Sequence, residues 1–192
     1  MQPGSVNQHQ AVPFLPTNAV ASLRPFATEI NVADRWVPVP ALPAADWLDL
    51  LMGDLELFLV FPGLCASEDQ NYVEDCLYQG MISVSDIEDA TLALIETVSG
   101  RPWWVALRLI AICEQKWGVI GTDMIRAGLD FERISLAAWL DVAWVTLFKH
   151  LAEDKWTMAA SQIEAPPPQA LQREPIETME MSVDAFTSLM RG

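Results

Sequence analysis

The chain has 192 residues, of which 52% are hydrophobic and 19% are charged, with a formal net charge of -15 at pH 7. This length suits about one domain and allows a sizeable core without metal ions or disulfides. The acidity excludes a broad basic surface for nucleic acid and disfavours an anionic membrane surface. Charged residues also interrupt every apolar run before the roughly 18 residues that a membrane span needs.

The first segment, residues 1–43, contains seven prolines. Each proline removes a backbone donor and favours extended geometry in the residue before it, which excludes a long helix. We therefore expect an extended N-terminal arm, with Trp36 and Val37 as candidate anchors in the stretch 32–43. No strand is predicted anywhere in the chain.

Helical spacing begins at Asp46, a candidate N-cap, and continues to the proline and glycine of 61–64. Capping-box patterns at Ser67 and Ser85 predict a short helix and then a longer one that ends at Gly100. In the second half, Pro102 predicts the start of a helix that runs to about Trp117. Further helices are expected after Thr122 and after Ser135, and the last of them continues to about Ile163, before the prolines of 166–168.

These elements predict an all-α fold of five or six helices in a compact bundle. A proline-rich arm is expected at 1–43, a helical domain at 44–164 and a flexible tail at 165–192. The tail is polar apart from a short amphipathic piece at 183–190.

The negative charge is concentrated in one part of the chain. Residues 44–100 hold twelve acidic residues and no lysine or arginine, whereas residues 101–163 hold seven basic and seven acidic residues. One interpretation is a solvated acidic face that keeps the protein soluble. The other is a surface that binds a basic partner.

The tryptophans suggest contact surfaces. On a helical projection Trp103 falls in an apolar arc that extends to Trp117, while Trp104 lies beside Arg108 on another side. Trp104 therefore either packs under the protein's own loop or arm, or anchors a partner. Trp139 is predicted to point away from the centre of the apolar face of its helix, so this helix is either central or has a partner on its second face.

Carboxylates are plentiful, and scattered ones leave a carboxylate-based hydrolase or a magnesium site open, but histidine and cysteine are scarce. The histidines are His9 and His150, and Cys65, Cys76 and Cys113 form no CxxC pair, so we expect buried, reduced thiols. Asp141 and Glu114 lie near apolar arcs and are interpreted as paired with an arginine or a helix end rather than as catalytic groups. The sequence thus predicts no enzyme activity and no catalytic, cofactor or metal site.

Four segments, in their order along the chain, resemble the tail assembly chaperones of long-tailed actinobacterial phages. They are WLDLLMGDLELFLVFPGL, GRPWWVALRLIAICEQKWGVIG, ISLAAWLDVAWVTLFKHL and EAPPP, and the resemblance covers roughly residues 36–168. It implies a small acidic helical protein of the host cytoplasm that binds the tape measure protein during tail morphogenesis and recruits tail tube subunits. It implies no catalytic residues, and self-association stays open.

Two other functions are compatible with the same sequence. One is a structural virion protein, such as a connector or minor tail component, held in the particle by its arms. The other is a host-directed adaptor or inhibitor that uses the acidic half as a decoy. The candidate partner-binding residues are two tryptophans, one arginine and five acids: Trp104, Arg108, Trp139, Asp49, Glu56, Asp86, Glu88 and Asp89.

Overall fold

A computed structural model of the chain describes residues 24–53, 56–171 and, for the backbone, 178–180. Within these ranges the protein is mostly helical, as expected for the fold class. The strands are β1 (Thr28–Val32), β2 (Arg35–Val39) and β3 (Thr178–Glu180). The α-helices are α1 (Ala44–Met52), α2 (Leu57–Leu64), α3 (Ser67–Tyr78), α4 (Val84–Ser99), α5 (Trp103–Gln115), α6 (Trp117–Arg126), α7 (Leu136–Lys149) and α8 (Trp156–Glu164). Short 3-10 turns span Glu153–Lys155 and Pro168–Leu171.

A β-hairpin precedes the helices, although no strand was predicted. β1 and β2 pair antiparallel with Val32 opposite Arg35, so the turn consists of Ala33 and Asp34. Both turn residues have positive φ angles, 47° and 69°, as tight two-residue hairpin turns require. Alternate residues of the strands face the core, and Val37 is fully buried there, as its predicted role as an anchor requires.

The sheet has the strand order β2-β1-β3, with β3 antiparallel to β1. Pro38 lies in β2 at the edge of this sheet, where the lack of a backbone N–H is tolerated. The stretch 32–43 is thus extended as predicted, but its valines join the same hydrophobic core as the helices. Residues 178–180 of the predicted tail belong to the sheet as well. Residues 1–23 of the predicted arm and the predicted amphipathic piece at 183–190 lie outside the described residues.

The described residues form eight α-helices rather than five or six, because two predicted helices are each divided. The first is interrupted at Gly53 between α1 and α2, and the last at 150–152 between α7 and α8. Pro62 lies inside α2, where it cannot donate a hydrogen bond to the preceding turn, and α2 ends two residues later.

Helix caps account for several boundaries. Ser135 caps α7 as predicted, since its hydroxyl accepts a hydrogen bond from the backbone N–H of Ala138 at 3.1 Å. α4 begins with a capping box in which Ser83 and Asp86 satisfy each other's backbone N–H groups. The four other predicted caps are wrong because the residues lie within helices: Asp46, Ser67, Ser85 and Thr122.

The core is centred on α7, which packs against α1, α4, α5 and α6. α7 has neighbours on several sides and is therefore a central helix, one of the two predicted alternatives, and Trp139 is fully buried, which contradicts its predicted role in partner binding. Trp144 is also buried and contacts the ring of Phe148 at a centroid distance of 4.6 Å. Trp117, predicted at the end of the α5 arc, instead begins α6 and is 36% exposed.

One ion pair links the start of α5 to α7. Arg101 is 5% exposed and pairs with the carboxylate of Asp141, as predicted for that acid. A guanidinium withdrawn from water needs such a partner, because an uncompensated buried charge is strongly unfavourable. Glu114 is exposed on α5. None of the helices in residues 24–171 has the length and apolar character that a membrane crossing requires.

Candidate partner-binding site

Trp104 is covered by the protein's own chain. Its indole Nε1 donates a hydrogen bond to the backbone oxygen of Glu164, at the end of α8, at 3.0 Å. Its ring meets that of Trp103 edge to face, with centroids 5.7 Å apart. Trp104 thus packs against a neighbouring segment, which was one of its two alternatives, but its side chain stays half-exposed, so its contact with a partner stays a prediction.

Arg108 is held by the same helix end. Its Nη1 lies 2.9 Å from the carbonyl oxygens of Gln162 and Ile163 and 2.6 Å from that of Ala165. The last carbonyls of a helix have no intrahelical partner and form the negative end of the helix dipole, so a guanidinium stabilises them. Arg108 is therefore a capping residue for α8, and its predicted contact with a partner stays a prediction.

The five predicted acids lie on α1, just before α2 and on α4. Asp49 lies on α1 and Glu56 precedes α2, and both are exposed. Glu88 is exposed and Asp89 half-buried on the first turns of α4, next to Asp86. The backbone N–H of Ser83, and then its hydroxyl, donate to the Asp86 carboxylate and lower its pKa, so Asp86 is negatively charged at neutral pH. The structure therefore groups three of the five acids.

A cleft of about 310 Å³ opens beside this group of acids, between the hairpin turn, α2, the α3–α4 loop and the first turns of α4. Its volume is at the lower end of the range for ligand sites in proteins. The lining is mostly apolar, and Asp86 is its charged member: Asn31, Val32, Ala33, Phe61, Met81, Ile82, Asp86, Ile87 and Ala90. The sequence analysis missed this cleft because its walls come from three separate stretches of the chain.

The hairpin turn that forms one wall is fastened to α3. The hydroxyl of Tyr72 lies 3.1 Å from the carbonyl oxygens of both Val32 and Ala33. Arg35 pairs with Asp69 at 2.6 Å, and its guanidinium lies 4.6 Å from the centre of the Tyr72 ring. These contacts hold the wall at a defined distance from α4.

Several exposed apolar side chains lie close in sequence to the residues that line the cleft, and Met81 is itself a lining residue. Tyr78 is 94% exposed and Met81 is 55% exposed, although both residue types are usually more buried. Five such side chains occur between residues 59 and 84, on or next to the elements that form the cleft: Leu59, Leu77, Tyr78, Met81 and Val84. All of them fall in the segment without lysine or arginine, so their charged neighbours in sequence are acids. An apolar surface with acidic surroundings is suited to a partner that is both apolar and basic.

A separate polar cluster joins α6 to the end of α7. Asp123 accepts from Lys149 at 2.7 Å and lies 3.0 Å from Nε2 of His150, and these two bonds lower its pKa. Burial raises the pKa of the Cys113 thiol to about 12. Burial and the nearby Asp69 carboxylate do the same for Cys65, to about 12. Within the described residues, no three side chains of histidine, cysteine, aspartate or glutamate are placed to hold a metal ion.

Comparison with known protein families, with curated proteins and with solved structures returns no match to this chain. The functional interpretation therefore depends on the surface described above and on the pattern of the sequence.

Proposed function

We propose that this chain is a tail assembly chaperone that binds the tape measure protein of a long-tailed phage and keeps it soluble until tail tube subunits assemble around it. The observation that carries the proposal is the cleft between the hairpin turn and α4, together with the exposed apolar side chains around it. The order of the four helical segments, which resembles that of tail assembly chaperones, supports the same function.

Such a client suits this surface. An elongated helical protein whose final partners are absent exposes apolar stripes, and covering them prevents aggregation. The cleft and its exposed neighbours supply apolar contact area, while the net charge of -15 keeps the resulting complex soluble. The contact is confined to a few side chains, which favours release of the client when the tube subunits arrive.

Co-expression with the tape measure protein encoded by the same phage tests this function. We expect the tape measure protein to remain in the supernatant when the chain is present and to sediment when it is absent. A double variant, Tyr78→Ser with Met81→Ser, is expected to lose most of this effect. The matched control, Ile125→Ser with Met158→Ser, removes two apolar side chains that are 62% and 58% exposed and do not line the cleft, so it should act like the wild type.

The proposal is contradicted if the tape measure protein sediments to the same extent with and without the chain. It is also contradicted if both double variants lose the effect equally, because general surface hydrophobicity would then explain the solubility.

A further inference from the structure

We infer that the cleft between the hairpin turn and α4 receives an apolar side chain from a basic amphipathic helix of the client, and that flanking lysines or arginines of that helix meet the acids at the cleft mouth. This inference rests on the proposed function and adds to it the place and the chemistry of the contact.

The interior of the cleft favours an apolar group. Phe61, Ile87 and Ala90 line it and are at most 4% exposed, whereas Met81 at its rim is 55% exposed. Burying an apolar side chain against this mostly apolar lining removes apolar surface from water, which is favourable.

The N-terminus of α4 disfavours a lysine or arginine of the partner helix inside the cleft. Backbone N–H groups at a helix N-terminus carry partial positive charge and disfavour a lysine or arginine beside them. The Asp86 carboxylate is already engaged in the capping box with Ser83. Asp34 and Glu88 are exposed and directly follow the lining residues Ala33 and Ile87 in sequence, and these two acids are the proposed contacts of the partner's cations.

Charge complementarity identifies the partner as basic. The cleft belongs largely to the segment 44–100, which has twelve acids and no basic residue. Arg35, the basic residue of the hairpin, is paired with Asp69 and stacked over Tyr72. A partner helix that carries lysine or arginine therefore gains attraction that an acidic helix of equal hydrophobicity does not.

The fold also favours a helix over an added strand. β2 forms one edge of the sheet, and Pro38 removes a backbone donor from that strand. The cleft instead lies beside α2 and α4, with Tyr78 and Val84 exposed nearby in the chain. A helix places apolar residues three or four positions apart on one face, so one can enter the cleft while the next covers these side chains.

Binding of a designed peptide to the full-length chain tests the inference. The probe is a fluorescent helical peptide of about 20 residues with leucine on one face and lysine on the other, and its counterpart carries glutamate in place of lysine. In fluorescence anisotropy we expect saturable binding of the lysine peptide and at least about tenfold weaker binding of the glutamate peptide, which equals about 1.4 kcal/mol.

Matched variants locate the contact. Met81→Arg at the cleft rim is expected to weaken binding of the lysine peptide about tenfold or more, because it adds a cation and removes an apolar contact. Met158→Arg makes the same change at a residue of α8 with nearly equal exposure, 58% against 55%, and should leave binding unchanged within about twofold. Asn31→Arg, on the opposite wall, should act like Met81→Arg, and thermal unfolding checks that each variant is folded.

Equal weakening by Met81→Arg and Met158→Arg would overturn the inference, because attraction by the overall negative charge would account for the binding. Equal affinity for the lysine and glutamate peptides would overturn it as well. If Met81→Arg loses the peptide but still retains the tape measure protein, the client binds elsewhere, so the inference is wrong and the proposed function stands. If the wild type binds the peptide but never the tape measure protein, the cleft chemistry stands and the proposed function is wrong.

Discussion

Arg108→Ala removes the side chain that fastens the end of α8 to α5. Nη1 faces three carbonyl oxygens at 2.6 to 2.9 Å but carries two N–H groups, so about two full hydrogen bonds exist at any time. Hydrogen bonds from a charged donor contribute about 1.5–3 kcal/mol each when buried, and water replaces part of that at this half-exposed site. We therefore expect a loss of about 1–2 kcal/mol, which for 192 residues lowers the melting temperature by about 3–6 °C.

Thermal unfolding monitored by circular dichroism measures the shift, and hydrogen exchange should show faster exchange of the α8 amides in Arg108→Ala. The control is Arg126→Ala in the last turn of α6, an exposed arginine for which we expect less than about 0.5 kcal/mol. Arg108→Lys keeps the charge but not the forked geometry, so it should recover part of the stability. An equal shift for Arg108→Ala and Arg126→Ala, with unchanged exchange in α8, would refute the capping role.

Three further predictions concern stability and thiol reactivity. Gly121→Ala should destabilise the protein by about 1–3 kcal/mol, because the added Cβ would lie 2.6 Å from the Trp117 ring. Gly118→Ala in the same helix meets no atom within 4 Å and should be neutral or stabilising by up to about 1 kcal/mol. Urea unfolding distinguishes the two variants, and equal effects would contradict the packing of Gly121 against Trp117. Ser83→Ala should cost about 1 kcal/mol at neutral pH and Ser85→Ala much less. The capping box lowers the folded-state pKa of Asp86 below its usual 3.8. The difference in the free energy of unfolding between wild type and Ser83→Ala is therefore present above pH 3.8 and should shrink as the pH falls through the lowered pKa. A pH-independent difference would contradict the cap. Since burial raises the pKa of Cys113 and Cys65 to about 12, iodoacetamide at pH 8 should label neither in the folded protein and both in urea, and rapid labelling of folded protein would show that these sites open.

Local signals in the sequence identified those parts of the fold that depend on neighbouring residues. The cap at Ser135 and the helical character of most of 44–164 follow from spacings of a few positions. The hairpin was missed because Pro38 argues against a strand, and proline is tolerated only at a sheet edge. That edge position depends on the pairing of β1 with β3, about 150 residues away in sequence, which no local pattern reveals.

In the candidate partner-binding site, too, the sequence predicted what depends on neighbouring residues and missed what depends on distant parts of the chain. Helical projection placed Trp103 in the core and Trp104 at its edge, but both are half-buried and pack against the core. What covers Trp104 and Arg108 could not be predicted, because it depends on the break before α8 and on how α8 docks. Projection showed apolar residues on more than one side of α7, but it could not decide between a central helix and a helix with an outside partner, because that depends on how the other helices pack around it. The acidic segment was visible in the composition, but the cleft beside it requires the hairpin turn and α4 to meet in three dimensions.

Affinity purification of the tagged chain from phage-infected cells, followed by mass spectrometry, tests the central claim most directly. The account predicts that the tape measure protein is the main enriched partner, that Met81→Arg depletes it while Met158→Arg does not, and that the chain is absent from purified particles. Recovery of the chain in stoichiometric amounts in purified particles, without enrichment of the tape measure protein from lysate, would contradict the account and identify the chain as a structural component of the virion.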